Sequence, residues 1–306
     1  MSIAASGLQG EAMQSAINRE DQRRAEDTPP GDIGSGTDKV RTRTISDYIG
    51  PVITFGIFVG LWYFMHYWGL EHIFDKKPFL ITEPHRVIRE SFIDAGQRSV
   101  MLNGLWVTTK VSLIGLAIAI AIGMGLAIAM AQARWLERSL WPYLVALQAI
   151  PILALVPVIG SIFGFEVPSR VLVCVIISVF PIVANTLFGL LSVERGQHDL
   201  FTLRGANRWT RLVKLQLPAA MPTIFAGFRI AAGLSVIGAI VGEIFFKRGE
   251  KGLGILLDTF RSRLNNPEMY GALILCALLG IAVFVIFGML SRLAVGRWYE
   301  TTRKTG

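Results

Sequence analysis

The side chains able to do chemistry in this sequence are few and scattered. His66, His72, His85 and His198 show no metal-ligand spacing. There is no His-Glu-x-x-His, no Gly-x-Ser-x-Gly and no pair of carboxylates within an apolar run, so hydrolytic and acid–base chemistry have no constellation to rest on. Cys174 and Cys276 each lie inside an apolar block and read as small buried hydrophobes rather than a disulfide or a metal site. The phosphate-cradling pattern G-x-x-x-x-G-K-[ST] is also missing, so any use of ATP would need another polypeptide. No catalytic residue, metal ligand or cofactor is expected, and a membrane-embedded enzyme is the weakest functional class.

What remains is one basic stretch and a few isolated polar groups. The stretch is "RGANRWTRLVKLQLPAAMP", residues 204–222, set between long apolar runs. Asp199 is placed to cap or start a helix. Arg204, Arg208 and Arg211 recur at steps of four and three, with Leu200, Leu203 and Val213 as apolar partners; this predicts an amphipathic helix with one cationic face. Such a helix could lie on anionic lipid headgroups, but two details favour a protein partner. Gly205 interrupts the run at about 0.5–1 kcal/mol relative to alanine, which suits a bend or a close-approaching surface. Trp209 is a residue type that anchors desolvated pockets. Pro218 suits the first turn of the following helix, where its missing N–H would have had no partner. The isolated groups are Lys110, Asn185 and Arg229. Lys110 is near enough to a helix end for its amine to reach the interface. Asn185 should face the interior of a bundle, as packing glue or as pathway lining. Arg229 stands about 16 Å along the axis from Pro218, at a depth where a charge costs roughly 2.5–3.5 kcal/mol and needs protein or water around it. Glu243 is about 20 Å further on the same helix and cannot be its direct partner.

The elements that must hold these groups are membrane spans. Apolar residues make up 52% of the 306 and charged residues only 17%, below the roughly 25% usual in soluble domains. Six segments are apolar over about the 20 residues a crossing needs: Tyr48–Leu70, Leu102–Ala131, Leu140–Gly164, Val171–Leu191, Ala219–Phe246 and Gly271–Leu293. The ten-residue alternation of a membrane β-barrel is missing. The expected fold is therefore an all-α integral membrane protein with six transmembrane helices, and the net charge of +8 is explained by loops rather than by nucleic acid. With the N-terminus inside, the cytoplasmic loops carry Arg134, Arg138, Arg195, Arg204, Arg208, Arg211, Lys214 and Arg292, a moderate excess of the kind that sets orientation. Residues 1–47 read as a disordered cytoplasmic tail, 48–298 as the transmembrane domain with 196–217 as a cytoplasmic segment, and 299–306 as a short cytoplasmic tail. A cleavable signal peptide is not expected, because the first apolar block starts near Tyr48 and is long enough to span. Residues 71–100 form the expected outer connection, with a surface helix from Val87 to Val100. Pro151 and Pro157 in the third block and Pro181 in the fourth free backbone carbonyls, which membranes tolerate only beside protein or water. The small residues Gly227, Ala231, Gly233, Ser235 and Gly238 would let another helix come close. No internal repeat is visible, which weakens the case for a carrier built of inverted halves.

Several motifs together resemble one family. "DLFTLRGANRWTRLVKLQLPAAMPTIFAGFRIA" resembles the EAA loop of type I, binding-protein-dependent ABC-importer permeases, with Gly205, Ala206, Leu217, Pro218, Gly227, Arg229 and Ala231 at the pattern's positions. "QAIPILALVPV", "FPIVANTLFG" and "VIGAIVGEIF" are similar to the nitrate/sulfonate/taurine branch. The E-A-A triplet itself reads Asp199-Leu200-Phe201 here, a shorter acid followed by two bulky residues. The resemblance implies the type I permease fold in a bacterial inner membrane with both termini cytoplasmic. It also implies cytoplasmic ATPase subunits docked on Asp199, Leu203, Arg204, Gly205, Ala206, Arg208, Trp209 and Pro218. A second permease copy, surrounding lipid and an extracytoplasmic solute-binding protein complete the implied assembly. Implied solutes are a nitrate-, sulfonate-, taurine- or bicarbonate-like anion, or a small organic nutrient such as a vitamin precursor.

Overall fold

A computed structural model describes residues 46–73, 75 and 80–299. Most of the expected tail at 1–47 and residues 300–306 lie outside the described residues. The chain divides into two units between Phe58 and Val59. Of the first, the structure describes the start of helix α1 (Ser46–Phe64), with Val52, Phe55 and Ile57 exposed.

The described residues of the second unit form helices joined by short loops. After the end of α1 and a π turn at Met65–Gly69 come a short α2 (Pro84–Ile88) and a second π turn, Arg89–Ile93. Then follow α3 (Ala95–Gln132), α4 (Arg134–Ala149), α5 (Ile152–Phe163) and α6 (Val167–Leu191). The chain continues through α7 (Arg195–Leu203), α8 (Arg208–Arg211), α9 (Leu217–Phe245), α10 (Leu253–Ser262) and α11 (Asn266–Tyr299). Val100 belongs to α3, whose start is fixed by Asp94: its side chain accepts from the Gln97 amide at 2.8 Å, an N-cap that sets the boundary seven residues earlier than hydropathy alone suggested.

Among the described residues five helices are long and apolar enough to cross a membrane, and α4 with α5 makes a sixth candidate bent by 100°. The third apolar block is thus not one straight span. Pro151 has no N–H to give the Leu147 carbonyl and its ring crowds that turn, so the helix stops and restarts.

The core lies where α3, α6, α9 and α11 meet. Leu116 and Ala119 of α3, Ile182 of α6, Ala231, Ala232 and Val236 of α9, and Leu279 and Val283 of α11 form one buried cluster. Helices α6 and α9 run antiparallel and very close: a Cβ on Gly227 would sit 3.0 Å from the Pro181 carbonyl, and one on Gly238 2.9 Å from the Cα of Cys174. Of the small residues expected at contacts, Ala231 and Ser235 are also buried, whereas Gly233 faces open space. Ser235 donates to the Ser112 carbonyl of α3 at 2.6 Å. In a bilayer, where burial against lipid offers little driving force, such close backbone approach supplies the attraction between helices.

Candidate functional site

The two ends of the bundle carry different chemistry. At one end, α3 and α6 finish, α4 begins, and α7, α8 and the start of α9 gather. Here the basic stretch does not form one amphipathic helix. Helix α7 ends in a turn in which the Ala206 amide bonds the Phe201 carbonyl and the Gly205 amide bonds that of Thr202, each at 2.9 Å. Gly205 takes φ +68°, the left-handed conformation that ends helices and that glycine adopts without penalty. Asn207 then caps α8, its side chain accepting from the Thr210 amide at 2.7 Å. The four- and three-residue steps from Arg204 to Arg208 and Arg211 therefore cross a break, which corrects the single cationic face expected from spacing. Asp199 lies inside α7 and is exposed rather than capping it; Glu194 holds the N-cap position.

Helix α8 runs on through a π turn at Leu212–Gln216 into α9, so that Arg208–Phe245 is a 38-residue rod. Pro218 stands in the first turn of α9, as expected, at its second residue and directly after the π turn. Its ring would crowd the Lys214 carbonyl in a regular helix. The wider turn, in which the Leu217 amide bonds the Leu212 carbonyl, accommodates it. Leu203 and Trp209 are 87% and 69% exposed, and Arg204, Gly205 and Arg208 are exposed as well, while Ala206 is half-buried. Gln132, Arg134, His198, Arg208, Arg211 and Gln216 line a polar cleft of about 440 Å³ beside them. This end is an exposed cationic and aromatic surface with a cleft in it.

Midway, Arg229 finds no acidic partner among the described residues; its guanidinium lies 3.8 Å from the centre of the Phe284 ring on α11, a cation–π contact. Asn185 is half-buried at the α6–α9 contact and donates to the Pro181 carbonyl of its own helix at 2.8 Å.

The opposite end holds a buried polar network that sequence reasoning missed. Arg170 at the start of α6 is fully buried. It donates to the Phe246 and Glu250 carbonyls at 2.8 Å and to that of Arg248 at 2.6 Å. One guanidinium thereby fixes the α9–α10 loop. Glu243 is also fully buried, accepting from the Thr108 hydroxyl at 2.9 Å and the Gly254 amide at 2.8 Å. Thr108 accepts in turn from the Leu253 amide at 2.8 Å. The other oxygen, Oε1, is buried without a partner and lies only 2.0 Å from where a Cβ on Gly252 would be, so residue 252 can carry no side chain. Lys110 reaches the same loop, pairing with Glu250 at 2.9 Å.

Outside the spans, Asp258 of α10 hydrogen-bonds Lys247 and pairs with Arg261 at 2.9 Å. The Lys247 bond first, and Arg261 second, hold its carboxyl below the ordinary 3.8. A depressed carboxyl stabilises the fold above its unfolded value, and that contribution disappears as pH falls through the lower folded value. Asp258→Asn is accordingly expected to lower the melting temperature in detergent slightly at about pH 6, with the variant and the wild type converging near about pH 2. The effect is small because both cations are mostly exposed. An unchanged gap at the two pH values would contradict the assignment.

Among the described residues no three His, Cys, Asp or Glu side chains gather to hold a metal ion. With six candidate crossings, an exposed basic turn at one end and a packed polar latch at the other, the arrangement is that of a transport subunit. The sequence comparisons agree: the profile of the binding-protein-dependent transport system inner membrane component family matches residues 119–299, and the chain belongs to that family. It is 36% identical over 258 residues to the riboflavin transport system permease protein of Chloroflexus aurantiacus, covering 84% of this chain and 94% of that one. It is 32% identical to the formylaminopyrimidine transport permease protein of Halalkalibacterium halodurans, over 71% of this chain and 85% of the relative. The putative aliphatic sulfonates transport permease protein of Escherichia coli is 36% identical over 63% of this chain and 74% of its own length. In three dimensions, a chain of the inward-facing methionine ABC transporter MetNI aligns with TM-score 0.57 at 16% identity, over 66% of this chain and 99% of that one; it shares the fold. The chain is thus a multi-pass membrane permease subunit of an ABC importer rather than an enzyme, working with a separate ATPase and a separate solute-binding protein.

Proposed function

We propose that two copies of this chain pair in a bacterial inner membrane, with both termini cytoplasmic, and carry a small solute between them. Residues 196–217 serve as the handle gripped by the ATPase. Asp199, Leu203, Arg204, Gly205, Ala206, Arg208, Trp209 and Pro218 contribute the gripped surface or its geometry. The observation that carries this reading is the unbroken rod from Arg208 to Phe245. A push on the exposed Arg208–Trp209 surface is transmitted along α9 because a helix resists compression, and α9 packs on α3, α6 and α11. Alternating access then follows as rigid movement of packed helices. The opposite end, with Arg170, Glu243 and the α9–α10 loop, faces the solute-binding protein, and lipid surrounds the outer helices.

The solutes named for the relatives, which include riboflavin, formylaminopyrimidine and aliphatic sulfonates, set the range as a small organic nutrient or an anion. The test is solute uptake into proteoliposomes holding the chain with its ATPase and binding protein. Uptake should require ATP, and the chain alone should move nothing. Solute movement by the chain alone, or labelling of a cysteine placed at Leu203 only from the outer side, would overturn the reading.

A further inference from the structure

Beside the break between α4 and α5 lies a groove of about 510 Å³ walled by these helices, α6 and α9. Its volume falls in the range of small-molecule sites. The wall is apolar except in three respects. Gln148 is exposed in it and makes no hydrogen bond with any described residue. Leu147 and Ile177, both in the wall, are each followed four residues later by a proline, Pro151 and Pro181, so neither carbonyl has its usual helical donor. No charged side chain lines the groove. The nearby cation on α9, Arg229, is turned to the Phe284 ring of α11 instead.

A lipid-facing wall would not carry this chemistry, because irregular backbone at membrane depth is tolerated only against protein or water. We infer that the groove takes an uncharged, planar nitrogen heterocycle bearing N–H donors, and not an inorganic anion; this rests on the transport reading above. The charge balance decides it. An anion would meet carbonyl oxygens with their partial negative charge and no cation, in a setting where an unpaired charge is strongly disfavoured. A neutral N–H meets acceptors that lack their helical donor, and the ring packs on the isoleucine walls. An inorganic oxyanion would also fill only a small part of the volume.

The test uses the full chain in lipid nanodiscs, without ATP. Riboflavin (by fluorescence quenching) and labelled uracil are the neutral probes; labelled nitrate is the anionic one. At least one neutral probe should bind saturably and keep its affinity in excess nitrate. Gln148→Leu should weaken that binding about five- to tenfold, the loss of one hydrogen bond. Gln148→Lys should weaken the neutral probe and admit nitrate. Saturable nitrate binding by the wild type, failure of both neutral probes, or unchanged affinity in Gln148→Leu would overturn the inference. The two readings fail separately. ATP-independent uptake with heterocycle binding intact would remove the transport reading alone, whereas ATP-dependent uptake with nitrate bound in the groove would remove this one alone.

Discussion

Gly205→Glu is expected to abolish ATP-driven uptake while leaving the chain inserted in the membrane at normal level. The reasoning separates two effects. A non-glycine residue held at φ +68° costs about 1–2 kcal/mol, too little to prevent assembly of a bundle held by long helix contacts. Within the chain the new side chain also meets nothing, since a Cβ there has no atom within 4 Å. What it does meet is whatever seats on the exposed turn between Leu203 and Trp209, where it adds bulk and a negative charge. The loss should therefore fall on coupling, with uptake reduced to background and the protein still extracted at wild-type yield. Gly205→Asn tolerates the left-handed region better, so its uptake is expected to fall between the two. Wild-type uptake in Gly205→Glu would end the idea of close docking; a protein missing from the membrane would show instead that the turn serves folding.

Arg170→Ala is expected to have the largest effect on stability. Its guanidinium satisfies three carbonyls of one loop, and Phe246, whose carbonyl it reaches through Nε, is fully buried. Arg170 and the carboxyl of Glu243 are also both buried at this same end of the bundle. Removing one member of such a buried arrangement costs on the order of 3–5 kcal/mol, which should appear as a large fall in melting temperature in detergent. Arg170→Lys should recover only part, since an ammonium lacks the planar fork. Adding Glu243→Gln to Arg170→Ala is expected to restore part of the loss, because the amide can still accept from Thr108 and Gly254 without leaving a buried charge. Strict additivity of the two changes would refute the charge balance between them.

Much of this architecture is legible in one dimension. The spans announce themselves because no other structure buries 20 apolar residues in a row. Gly205 is legible because glycine inside a charged run signals a backbone demand. The break of the third apolar block is foreshadowed by Pro151, although not its 100° bend. The single cationic face of residues 204–211 is the instructive failure. The helical period does not survive Gly205, which terminates the helix: the Gly205 and Ala206 amides bond back into α7 and the Asn207 side chain accepts from Thr210 to start α8.

The buried polar groups around Arg170 and around Glu243 and Thr108 were hidden for a different reason. Thr108 and Glu243 stand 135 residues apart, and neither points to the other in the sequence. The sequence by itself determined that this is a helical membrane protein with a basic segment between two spans, because hydropathy and backbone demands are properties of consecutive residues. Only the tertiary structure decided which charges are buried at the same end, that the later part of the basic segment and the span after it form one rod, and that the groove at the broken helix lacks a cation. Those facts depend on which faces of distant helices meet, and packing alone chooses that.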